Sequence, residues 1–371
     1  MSGNFDYTSY AQRFVARFPL ITYIGTQVNF WVIANMLLGT ILHLQALRVN
    51  QESRLAPMLG IAALSGIFYG IILGLTDYYL DKNVFKKQSL GKVILLKVVI
   101  SLSILVILLF IIKSTVIKIL NLTLNGQESY NINNTAWEYL FYMLLIYYFF
   151  MTLVVSFVIQ VNKKFGPGVL VPLLFGKYRN PREEERIFMF MDLKSSTTFA
   201  ENLGHLQYSS FIQDCFMDIN QLLLSFNARV YQYVGDEIVL TWGVKDGLKN
   251  FSCIRFFFAC EKQFHDREQH YISKYGILPQ FKAGLHSGKV TAVEIGEIKR
   301  DIAYHGDTLN TAARIQGVCN EYDKNFLISE ALLEVMGNHS NLKTKSLGMI
   351  RLRGKTKSIG IASAEWNDLN S

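Results

Sequence analysis

Cysteine is scarce: the chain has four in 371 residues, at 215, 253, 260 and 319. None has the paired spacing of a zinc site, and no disulfide framework is indicated, so reduced thiols are expected. Charge is sparse too, at 18% of residues against 50% apolar; a soluble domain usually carries about a quarter charged residues. No small-residue cleavage site follows the first apolar run, which is itself too long for the core of a signal peptide, so no cleavable leader is expected. Internal repeats and low-complexity tracts are lacking, which argues against a solenoid or a disordered chain.

What the sequence has instead is apolar runs of twenty or more residues. "ITYIGTQVNFWVIANMLLGTILHLQAL" (21–47), "LAPMLGIAALSGIFYGIILGL" (55–75), "VILLKVVISLSILVILLFII" (93–112) and "YLFYMLLIYYFFMTLVVSFVIQV" (139–161) succeed one another. About 20 helical residues cross a hydrocarbon core of about 30 Å. A multi-pass membrane domain of four transmembrane helices is expected over 1–161. Lys97, near the start of the third run, is expected to snorkel to the interface. The runs lack the repeated charged or broken-helix signs of a transporter, so they anchor the chain or sense an unidentified signal.

Orientation follows from Lys and Arg. Lys82, Lys86, Lys87 and Lys92 lie between the second and third runs, and Lys163 and Lys164 follow the fourth. The loop at 121–135 carries neither. Cytoplasmic termini follow from the positive-inside rule, with Arg48 and Arg54 opposing. The formal charge of +8 is met at these membrane flanks, where anionic lipid attracts it. A nucleic-acid partner is not expected.

A connector, 162–185, follows; it is broken by Gly166, Pro167 and Gly168 and sustains no heptad. The pattern then changes to short strands alternating with amphipathic helices. A buried strand is expected at 186–192, a helix at 196–226 and a hairpin at 229–242. A helix at 247–274, strands at 280–287 and 289–297 and a helix at 307–319 come next. This β-α-β-β-α-β order predicts a ferredoxin-like α+β sandwich over 186–365, with a tail at 366–371.

Three stretches carry chemistry. "FMFMDLKSSTTFAENLGH" (188–205) puts Asp192 at the end of a hydrophobic strand, where Asp192 or Ser196 could also simply cap a helix. "QYVGDEIVLTW" (232–242) puts Gly235-Asp236-Glu237 at a hairpin tip between apolar strands. If the two elements are neighbours, Asp192 and Asp236 converge, and paired carboxylates suit Mg²⁺. "AYHGDTLNTAARIQ" (303–316) starts a helix, with Asp307 as its expected N-cap. Asn310 and Arg314 share one face of that helix, fit to neutralise a phosphoryl transition state.

Together "FMDLKSST", "YVGDE", "AGLHSGKV" and "GDTLNTAARIQ" resemble the class III adenylate/guanylate cyclase catalytic domain, over roughly 184–365. The resemblance implies a homodimer with head-to-tail shared sites. It implies that Asp192 and Asp236, helped by the Leu193 carbonyl, hold two Mg²⁺ or Mn²⁺ ions. From the opposite subunit, Asn310 would orient the ribose and Arg314 stabilise the pentavalent phosphorus. Lys289 and either Arg353 or Lys355 would touch phosphate. The positions that select the base in that family are Gln232 and Ala303 here. A Gln amide can match either purine, so ATP is the expected substrate and GTP the alternative.

The expected activity is a membrane-anchored cyclase converting ATP to 3′,5′-cyclic AMP and pyrophosphate. A non-catalytic membrane receptor with a cyclase-like domain would be expected to lack one of the key residues, and none is missing. A diguanylate cyclase also bears a Gly-Asp-Glu hairpin but lacks the "GDTLNTAARIQ" helix. Ser/His/Asp chemistry built on His286 and Ser287 is unnecessary; these two are expected to shape a strand end.

Overall fold

The computed structural model describes residues 11–367 apart from 12–13, 16, 49–53, 85–87, 124–133, 166–167, 169–171, 173–174, 298–299, 338–339 and 352–357. The chain divides into two compact units, Phe18–Pro167 and one built on Gly168–Ser371.

The first unit contains four long helices: α1 (Pro19–Arg48), α2 (Leu55–Asn83), α3 (Leu90–Thr123) and α4 (Asn134–Phe165). Each contains a stretch long and apolar enough to cross a membrane. Helices α1 and α2 meet at main-chain distance. A Cβ on Gly66 would lie 2.7 Å from the Trp31 carbonyl oxygen, one on Gly70 2.6 Å from Val28 Cα, and one on Gly74 2.5 Å from Ile24 Cα. Small residues four apart let apolar helices approach this closely where lipid offers no hydrophobic drive. Trp31, Tyr69 and Tyr148 fill the centre of the bundle, with Trp31 at 4.6 Å from Tyr69 and 5.0 Å from Tyr148 between ring centroids.

Lys97 does not snorkel. It is only 5% exposed, and its Nζ lies 2.8 Å from Asp77 Oδ2 on α2. Gln27 Nε2 of α1 donates to the same oxygen at 2.7 Å, and Trp31 Nε1 donates to Gln27 Oε1 at 3.1 Å. A charge among apolar helices is stabilised by an opposite charge with further hydrogen bonds. Asp77 supplies that partner inside the bundle, so the long side chain need not reach the interface.

The second unit is a mixed sheet with helices on both faces. Its strands are β1 (Arg182–Leu193), β2 (Arg229–Val234), β3 (Glu237–Gly243), β4 (Phe281–Ile295), β5 (Asp301–His305), β6 (Phe326–Ser329), β7 (Leu342–Ile350) and β8 (Ile359–Trp366). The order is β2-β3-β1-β4-β6-β8-β7, with β5 also paired to β4. Every pair is antiparallel except β4 with β6. The β2-β3-β1-β4 portion, with the helices that follow β1 and β3, is the expected ferredoxin-like unit. Alternation along β1 serves two cores. Ile187, Met189, Met191 and Leu193 pack under α5 (Ser196–Leu222) and α7 (Ser252–Asp266). Phe188 joins Val239, Val290 and Ala312 on the other face.

Several elements differ from the sequence pattern. β1 begins at Arg182 rather than 186. The two strands expected at 280–297 are one strand, β4, because Gly288 continues the ladder opposite Arg186. The helix expected at 247–274 is broken into α6 (Val244–Leu248), α7 and α8 (Glu268–Tyr275). Asn250 and Phe251 at positive φ interrupt it at one end. β2 is an edge strand exposed at 232–234, so only β3 is the interior strand that the hairpin composition suggested. All four cysteines are buried and free.

Candidate active site

Asp192 occupies the face of β1 that carries Phe188 and Phe190, at the strand's C-terminal end. Register puts it opposite Glu237 on β3 and opposite Lys282 on β4. Asp236 immediately precedes Glu237 in the β2–β3 turn, where Gly235 takes a φ of 62° that favours glycine. Asp192 and Asp236 therefore meet at one edge of the sheet. Asp192 is not a helix cap: α5 is preceded by Ser195, and no side chain caps its N-terminus.

The site is strongly acidic. Burial, then the charge of Asp236, raise the Asp192 pKa, against which Lys282 and Gln316 act. Lys282 Nζ stands 3.3 Å from Asp192 Oδ2, and Gln316 Nε2 donates to that oxygen at 3.2 Å. Glu237 is pushed up to about 7 by burial and by Asp192 and Asp236. Carboxylates that raise one another's pKa even with Lys282 beside them are a donor set short of positive charge, which a divalent cation would supply. Among the described residues, no three His, Cys, Asp or Glu side chains form a metal cluster. Two carboxylates and a main-chain carbonyl such as that of Leu193 suffice for Mg²⁺, which keeps waters and substrate phosphates in its shell.

Helix α9 (Asp307–Gly317) lies against this sheet. Thr308, Thr311, Ala312, Ile315 and Gln316 are buried at helical spacing. Gly284 lets it press onto β4, since a Cβ there would come within 2.2 Å of the Gln316 nitrogen. That approach brings Gln316 to Asp192. Asp307 is the first residue of the helix and Gly306 its N-cap, so the expected Asp307 cap is corrected. Asn310 is exposed and Arg314 half-buried. Among the described residues neither bonds to Asp192 or Asp236 of its own chain.

The other expected site residues are dispersed. Lys289 is exposed and pairs in register with Glu185; seven residues along β4 from Lys282, it lies roughly 23 Å away along the strand. Gln232 is exposed on β2 and Ala303 buried on β5. Their neighbours Tyr231 and Tyr304 touch, with ring centroids 5.2 Å apart, and the Tyr304 main-chain N–H donates to the Tyr231 hydroxyl at 3.3 Å. Arg353 and Lys355 lie outside the described residues. His286 and Ser287 are in the middle of β4, not at its end, and His286 Nδ1 is 2.7 Å from Ser329 Oγ. Glu237, Lys282 and Gln316 had not been singled out as site residues. Only strand register and the docking of α9 bring them to Asp192.

An α+β sandwich with paired acids at a strand end defines the class of this domain. Residues 179–362 match the adenylate and guanylate cyclase catalytic domain. Adenylate cyclase 2 of Rhizobium meliloti (strain 1021) is 33% identical over 216 residues, covering 58% of this chain and 60% of that protein. An adenylate cyclase of Anabaena cylindrica is 24% identical over 181 residues, covering 47% of this chain and 35% of that protein. The chain thus spans less than two thirds of either relative. The crystal structure of the adenylyl cyclase CyaB from P. aeruginosa aligns with a TM-score of 0.45 at 16% identity, covering 51% of this chain and 97% of that one. Through residues 179–362 the chain belongs to the adenylate and guanylate cyclase catalytic-domain family.

Proposed function

We propose that the chain is a membrane-anchored adenylate cyclase that converts ATP to 3′,5′-cyclic AMP and pyrophosphate. The adjacency of Asp192 and Asp236 carries this reading. In it, Asp192, Asp236 and the Leu193 carbonyl hold two Mg²⁺ or Mn²⁺ ions. Bound ions would supply Lewis-acid charge that eases ionisation of the ribose 3′-hydroxyl and offsets charge on the departing pyrophosphate. Gln316 and Lys282 keep Asp192 oriented toward them.

The remaining groups come from a second copy. Asn310, exposed on α9, orients the ribose, and Arg314 on the same helix face offsets charge at the α-phosphorus. That neither meets Asp192 or Asp236 of its own chain supports a shared, homodimeric site. Lys289, with Arg353 or Lys355, receives phosphate oxygens. Gln232 offers the base an amide donor and acceptor, and Ala303 leaves room beside it. Lysines at 82 and 92, with Lys163 and Lys164, favour a cytoplasmic catalytic domain.

The test is to offer the purified full chain ATP and GTP separately, with Mg²⁺ or Mn²⁺, and to separate the products. Cyclic AMP from ATP is expected. Cyclic GMP alone would favour guanylate cyclase, which the reversible Gln232 amide accommodates. No cyclic nucleotide from either substrate would overturn the proposal.

A further inference from the structure

Arg186 is a charged residue in an apolar position. It precedes Phe188 and Phe190 on the same face of β1, flanked in register by Gly243 and Gly288, and is 5% exposed. Its Nε donates to Glu184 Oε2 at 2.8 Å, and its guanidinium carbon lies 4.7 Å from the centre of the Tyr304 ring. Among the described residues no acceptor reaches its buried Nη1. A buried ion pair with an unpaired donor is a weak source of stability, and neutral or apolar groups in place of both partners usually serve the fold as well. What the residue provides is a fixed plane against Tyr304.

Tyr304 matters because of its place in the chain. It follows Ala303 on β5 and lies just before α9, which carries Asn310 and Arg314. Its ring stands edge-on to Phe188 at 5.6 Å and to Tyr231 at 5.2 Å. Arg186 completes that ring's surroundings.

We infer that Arg186 is a positioning residue: through Tyr304 it sets the β5–α9 segment that presents Ala303, Asn310 and Arg314 to the nucleotide. The inference rests on the proposed function and names residues that function does not use. It separates substrate binding from fold stability, because the group acts on placement and adds little to the core.

The test uses the full chain in lipid nanodiscs. Arg186→Met combined with Glu184→Gln, which removes both charges of the pair, is expected to keep its thermal midpoint while kcat/KM for the nucleotide falls about tenfold, because Asn310 and Arg314 are displaced together. Arg186→Lys retains charge but lacks the planar face, so it should show the same fall. An unchanged kcat/KM in the double variant, full rescue by Lys, or failure of the double variant to fold each overturns the inference. A wild-type chain with no cyclase activity would instead remove the proposed function itself, so the two failures are distinct.

Discussion

Asp192 and Asp236 meet because Asp192 pairs across the β1–β3 ladder with Glu237, the residue that follows Asp236 in the hairpin turn. A strand end and a hairpin turn thus deliver one acid each to the same edge. Their closeness is set by main-chain hydrogen bonding and not by flexible side chains.

Asp192→Ala or Asp236→Ala should reduce turnover at least about a hundredfold, the scale expected when a metal clamp is lost. Product formation at saturating Mn²⁺ measures this. Near wild-type rates in either variant would refute the metal assignment.

Mixing Asp236→Ala chains with Arg314→Ala chains should restore part of the activity that each lacks alone. A heterodimer would then contain one intact composite site. No recovery, with mixed dimers demonstrated by differential tags, would count against the shared site.

Metal stabilisation should grow with pH. Glu237 titrates at about 7 in the folded chain and near 4.3 when unfolded. As pH rises between those values, the unfolded chain releases a proton that the folded chain still holds, so stability falls. The penalty is complete above about 7, where Glu237 is ionised beside Asp192 and Asp236. A cation at the edge relieves it, so Mn²⁺ should raise the thermal midpoint more at pH 8 than at pH 6. Glu237→Gln should flatten that difference; an equal rise at both pH values in the wild type would contradict it.

In the four-helix unit, Asp77→Leu should cost about 3–5 kcal/mol, since it removes the buried carboxylate that Lys97 pairs with. Adding Lys97→Met should restore most of the loss. Unfolding in mixed micelles measures both variants. A double variant as unstable as the single one would show that the pair is not the reason.

Much of this architecture was legible in the sequence. The four apolar runs outlined the four long helices, and the Gly-Asp turn with the hydrophobic strand before Asp192 outlined the acidic edge. Lys97 was misread because its partner lies on another helix, and a single apolar window contains no sign of it. Lys282 and Gln316 escaped for the same reason, since one reaches Asp192 through strand register and the other through the close approach of α9 at Gly284. β4 was split in two because Gly288 looks like a break. There the glycine instead makes room: a Cβ would meet Thr308 Oγ1 at 2.6 Å.

Gly66, Gly70 and Gly74 give the α1–α2 hairpin an asymmetric tolerance to change. Their neighbours on α1 are backbone atoms of Ile24, Val28 and Trp31, which every amino acid possesses. Trimming a side chain on α1 therefore cannot make space for even one methyl group added on α2. Compensation at that seam has to come from helix displacement, leaving α1 freer to vary in sequence than the ridge it rests on.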